Sequence, residues 1–165
     1  MKKRRLVAIV FGILALGWTG TLFFFSGQNA VDSSSLSRKL ARLIIEWFPA
    51  LGMGPADLEP ILRKIAHFGI FALEGFLTGI ALINALGYGK GMALSFAVCT
   101  VMAVGNELHQ LFSVGRSCEV RDMFIDAGGA LTGILFAAVL IAVFSYFSRR
   151  KRKNDHRIAG GVTNI

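Results

Sequence analysis

The chain has 165 residues, is 54% hydrophobic and 17% charged, and carries a net charge of +8. Its mean hydropathy is +0.60. An ordinary soluble domain is less apolar and about a quarter charged, so this composition excludes one.

The apolar residues fall in four blocks, 6–25, 65–86, 92–112 and 123–147. Each reaches the ~20 residues that a helix needs to cross a bilayer. The expected fold is all-α: a bundle of four transmembrane helices in a single domain, residues 1–148. Residues 149–165 form a basic tail.

The first block follows Met1-Lys2-Lys3-Arg4-Arg5. Its apolar part is longer than a signal-peptide core. Ser26-Gly27-Gln28-Asn29-Ala30 makes a poor cleavage site. The block reads as an uncleaved anchor.

A long segment, 26–64, joins the first two spans. Within it "SLSRKLARLIIEWF" has apolar residues at 36, 40, 43, 44, 47 and 48, a helical spacing. Ser33, Ser34 or Ser35 is a candidate cap. Trp47 and Phe48 on the apolar side, with Arg38, Lys39 and Arg42 opposite, suit a helix lying in the membrane interface. Packing over the outer mouth of the bundle is the other reading. Pro49, Gly52, Gly54 and Pro55 end it.

The second and third spans are joined by Gly87-Tyr88-Gly89-Lys90-Gly91, a turn short enough to make them neighbours. "SVGRSCEVR" joins the third and fourth. The tail "SRRKRKNDHRIAGGVTNI" is polar and reads as disordered after its first few residues.

Orientation follows from Lys and Arg near the span ends. Four spans put both termini on one side. That side holds eleven of the 18 Lys and Arg, so both termini are expected in the cytoplasm of a bacterial inner-membrane protein. The basic fringe then serves topology and attraction to anionic lipid; no nucleic-acid partner is expected. Cys99 and Cys118 are too far apart in depth for a disulfide. No metal-ligand spacing or cofactor motif is legible, so neither a metal nor a cofactor is expected.

The ionisable residues cluster by depth. Arg63 and His67 share a face at the outer end of the second span, and Glu74 lies on that face about 10 Å deeper. Asn84 or a backbone carbonyl is its expected hydrogen-bond partner. Glu107 and Gln110 sit near the outer end of the third span. Arg121, Asp122 and Asp126 open the fourth, with Gly129 and Gly133 continuing the Asp122–Asp126 face as a close-packing surface. Intramembrane ionisable residues usually face a bundle interior and mark function. His67, Glu107, Gln110, Asp122 and Asp126 are thus candidates for one outward-facing pocket, rimmed by Arg63, Lys64, Arg116 and Arg121. The plainer alternatives are snorkelling for Arg63 and Lys64, and structural Glu107–Arg121 or Asp126–Arg116 pairs.

Three stretches, in order, resemble the VanZ-like integral membrane proteins: "FFFSGQNAVDSSSLS", "RKIAHF" and "NELHQLFSVGRSCEVRDMFIDAGGALTG". The family is associated with glycopeptide resistance, chiefly to teicoplanin, which carries a lipid chain. The resemblance marks Arg63, Lys64, His67, Glu107, Gln110, Arg116 and Asp122 as signature positions. The chain departs from it at Phe71, where relatives often have Tyr. Glu74 lies outside the pattern.

Two mechanisms follow. In the first, Arg63, Lys64, Arg116 and Arg121 hold the phosphate of a membrane lipid or a polyprenyl-linked cell-wall precursor. Glu107, Gln110 and Asp122 orient those cations, and Arg116 pairs with Glu107 or Asp122. In the second, an enzyme modifies such a lipid, with His67 as acid or base and Glu107 or Asp122 as its partner. A purely structural membrane subunit is the third possibility.

Overall fold

The computed structural model describes residues 2–27, 30–113, 115 and 118–162. Side chains at 30–34, 36, 51 and 151–162 lie outside that description. The elements are α1 (Lys2–Ser26), α2 (Ala30–Trp47), a 3-10 turn (Pro49–Leu51), α3 (Pro55–Leu86), α4 (Tyr88–Gln110) and α5 (Val120–Val162). Four helices are long and apolar enough to span a membrane: α1, α3, α4 and residues Val120–Arg150 of α5. The chain is all-helical among the described residues, with the four expected spans.

The helices run longer than their apolar blocks. α3 starts ten residues before Ile65. Pro55 occupies its first turn, where a missing N–H is harmless. The Asp57 carboxylate accepts from the Gly54 N–H at 3.1 Å, which satisfies a donor at the helix start. The helix continues through Pro60. At 32 residues it is about 48 Å long, against a hydrocarbon core of about 30 Å. It is therefore long enough to extend beyond the hydrocarbon layer.

α2 begins at Ala30, so Ser33, Ser34 and Ser35 lie inside it rather than capping it. Among the described residues it packs on α3 and the 3-10 turn, not across the mouth formed with the other spans. Arg38 Nε pairs with Glu59 Oε2 at 3.0 Å. Leu40, Leu43, Trp47 and Phe48 remain exposed, as a helix bedded in an interface requires.

The link between α3 and α4 is tighter than five residues. Gly87 alone makes it, at φ +86°, and α4 is helical from Tyr88. A Cβ at Gly91 would fall 2.6 Å from Ile83 Cα, so glycine there lets α4 fold directly back on α3. The basic tail also departs from expectation. α5 continues as one helix to Val162, because Lys and Arg are good helix formers and extending an existing helix avoids the nucleation cost.

α3 is the hub. It touches α1, α2, α4 and α5. Against α5 the backbones meet through Gly129 and Gly133, whose Cβ positions are filled by Phe68 O and Ala72 O. Gly75 makes the reciprocal approach to Ala130. Phe71, 1% exposed, fills the centre with Leu22, Cys99, Ala103 and Ala130. α1 is apolar on all sides and buries few residues, the pattern of a lipid-facing span. Trp18 Nε1 donates to Ile70 O at 3.1 Å and ties α1 to the hub.

Deeper in the bundle sits Glu74, 0% exposed. Its Oε1 accepts from Thr78 Oγ1 at 3.0 Å and Thr19 Oγ1 at 3.2 Å. Asn84 instead donates to Ile80 O at 2.9 Å, so the expected Asn84 partner is replaced by two threonines. An amide oxygen accepts from both hydroxyls equally well. Glu74→Gln is therefore expected to melt within about 1 kcal/mol of wild type, the scale of one net hydrogen bond. A large loss of assembly in Glu74→Gln, rescued in Glu74→Asp, would show that the negative charge itself is needed.

Candidate functional site

The polar residues of three helices meet at the end of the bundle away from both chain termini. The cause is local. Gly129 removes a side chain where α5 crosses Phe68 of α3. Asp126 lies one turn before that crossing and His67 one residue before it. Close approach of the backbones therefore sets the two side chains against each other. His67 Nδ1 and Asp126 Oδ1 are 3.3 Å apart, with side-chain exposures of 17% and 0%.

Glu107, 1% exposed, enters from α4. Gln110 Nε2 donates to its Oε1 at 2.9 Å, the i, i+3 contact that the helix makes available. The Glu119 backbone N–H donates to its Oε2 at 3.1 Å. This second bond folds the start of α5 back onto the end of α4. Gln110 is buried with it. One donor atom each of His67, Glu107 and Asp126 lies within 4.8 Å of the others.

A second pair lies beside this trio. Lys64 Nζ is 3.1 Å from Asp122 Oδ1 and 3.9 Å from Glu119 Oε2. Lys64 is thus an ion-pair partner rather than a snorkelling anchor. Arg63 and Arg121 are exposed, and neither has a salt bridge among the described residues. Both lie on the turns of α3 and α5 that carry Lys64 and Asp122.

The sequence-derived set is rearranged in two places. Asp122, expected beside His67, is taken by Lys64, and Asp126, one turn deeper, is the carboxylate His67 meets. The alternative Glu107–Arg121 pair does not form among the described residues: Glu107 turns inward to Gln110 and the Glu119 backbone. Arg116 lies outside the described residues, and with it the Arg116–Glu107, Arg116–Asp122 and Arg116–Asp126 pairings. Glu119 is the residue that sequence reasoning missed. Its contribution to Glu107 is a backbone N–H, which every non-proline residue has, so its side-chain type gave no signal.

Chemically, the site offers an imidazole and two buried carboxylates at its floor, and cations at its edge. Such an arrangement can hold a cation in the floor, move a proton between His67 and Asp126, or attract an anion to the rim.

No curated protein and no solved structure matches this chain. A family model described as VanZ/LLP1 matches residues 11–143. That range contains α1 from Phe11 onward, all of α2, α3 and α4, and the whole polar cluster, and the chain belongs to the VanZ/LLP1 family of membrane proteins.

Proposed function

We infer that this protein is a multi-pass component of the bacterial inner membrane whose polar cluster faces outward. There it binds the anionic headgroup of a lipid, such as a polyprenyl-linked cell-wall precursor. One observation carries the reading. Arg63 and Arg121 are exposed at the same end of the bundle where Lys64, His67, Glu107 and Asp126 converge from three helices. Charge-assisted bonds from guanidinium groups are well suited to phosphate. The surrounding helices present apolar surface for the lipid's chain, including Phe68 and Phe124. The resemblance to proteins associated with teicoplanin resistance fits a site at the outer leaflet, since that antibiotic itself carries a lipid chain.

The test is lipid co-purification. Wild type is expected to retain a phosphate-bearing lipid, identified by mass spectrometry. Arg63→Ala/Arg121→Ala is expected to lose it more than tenfold, since each charged hydrogen bond is worth about 1.5–3 kcal/mol. Arg116→Ala extends the same series. Equal retention in all variants would refute the reading. So would a reporter fused after Lys151 that reads outside the cell, because the cluster would then face the cytoplasm.

The 3.3 Å His67–Asp126 contact favours a second reading, in which the bound lipid is modified. An imidazole oriented by a carboxylate is a common acid–base unit. Here its partner is Asp126, in place of the Glu107 or Asp122 expected from sequence.

A further inference from the structure

One imidazole and two carboxylates meet at the floor of the cluster. His67, Glu107 and Asp126 come from three different helices, so no spacing motif announces them. One donor atom of each lies within 4.8 Å of the others. Asp126 is 0% exposed; neither of its oxygens has an aligned hydrogen-bond donor among the described residues, and besides His67 only the neutral amide of buried Asn106 approaches it. A carboxylate in that state is expensive to bury.

His67 answers the deficit only in part. It approaches Asp126 to 3.3 Å, but one imidazole carries at most one positive charge against two carboxylates. Lys64 does not supply the second charge, because Asp122 and Glu119 flank it at 3.1 Å and 3.9 Å. Glu107 shows the complementary feature. Gln110 and the Glu119 N–H each donate to one of its oxygens. These bonds fix the plane of the carboxylate and leave each oxygen a lone pair directed elsewhere. Metal-ligating carboxylates carry this kind of outer support.

We propose that His67, Glu107 and Asp126 bind one divalent transition-metal ion. The donor set is one imidazole nitrogen and two anionic oxygens. Zn²⁺ accepts that mixture at bond lengths of about 2.0–2.2 Å; Mg²⁺ and Ca²⁺ favour oxygen alone. Two ligands on a tetrahedral ion of that size stand about 3.4 Å apart, close to the 3.3 Å between His67 and Asp126. Three protein ligands leave a fourth position for water or an anionic oxygen. The assignment goes beyond headgroup binding and does not depend on it.

The test uses the full chain, purified in detergent, stripped with a chelator and dialysed. Titration with Zn²⁺ alone is expected to saturate at one ion per chain, with Mg²⁺ at least about tenfold weaker. Asp126→Asn and Glu107→Gln are each expected to weaken Zn²⁺ by more than the about 10–100-fold that loss of an outer partner causes. His109→Gln, on α4 but outside the trio, is expected to bind as wild type. X-ray absorption of the wild-type Zn²⁺ form keeps the test decisive if a ligand variant does not fold. It is expected to show one imidazole and otherwise oxygen ligands. Wild type that takes up no stoichiometric Zn²⁺ overturns the proposal. Unchanged binding in folded Asp126→Asn, or a spectrum without imidazole, overturns it equally.

Discussion

Gly133→Ala is expected to separate α5 from α3 and to prevent stable assembly of the bundle. The added methyl would overlap Ala72 O and fall 2.7 Å from Phe76 N and 2.8 Å from Ala72 C. All three are backbone atoms of a helix, so none can rotate away. Overpacking typically costs about 1–3 kcal/mol, and a rigid obstacle puts this case at or above the top of that range. Gly129→Ala meets the Phe68 backbone in the same way, with Phe68 C at 3.0 Å and Phe68 Cα at 3.1 Å. It is also expected to part His67 from Asp126. Gly69 supplies the control. A Cβ there has nothing within 4 Å, so Gly69→Ala is expected to stabilise α3 by up to about 1 kcal/mol through helix propensity. Thermal unfolding in detergent reads all three. Gly133→Ala melting with wild type would mean that α3 and α5 do not pack backbone to backbone.

His67→Ala is expected to destabilise the protein by about 3–5 kcal/mol, the loss seen when one partner of a buried pair is removed. Asp126 is 0% exposed, and its Oδ1 is 3.3 Å from the His67 ring. Truncating the ring leaves a fully buried carboxylate with the neutral Asn106 amide as its remaining polar neighbour. The double variant His67→Ala/Asp126→Ala is expected to recover much of that loss, because it removes the stranded charge. Measured with a chelator present, so that no ion contributes, the cycle isolates the pair. Additive losses in the double variant would show that the two side chains do not interact. Lys64→Ala is a milder comparison. Lys64 and Asp122 keep side-chain exposures of 30% and 18%, and water screens what remains.

The four spans, the level of the polar residues and the packing role of Gly129 and Gly133 were legible in the sequence. Each depends on one helix at a time. Span length follows from apolar run length, depth from rise per residue, and the shared face of Asp122, Asp126, Gly129 and Gly133 from the helical period. Helix ends were less legible, because apolar runs mark where lipid begins rather than where hydrogen bonding stops. α3 therefore starts at Pro55, and α5 continues through the basic tail to Val162.

Pairing across helices belonged to the tertiary structure alone. Asp122 and Asp126 lie one turn apart on one face, so periodicity ranks them equally as partners for His67. Backbone contact at Phe68–Gly129 fixes how far α5 slides along α3, and that slide selects Asp126 for His67 and Asp122 for Lys64. Glu74 shows the same division. Its burial followed from its depth, but its threonine partners required α1 to lie against α3, with Thr19 facing Thr78. A sequence gives each helix its faces and levels; the relative rotation and translation of two helices come only from how their side chains interlock.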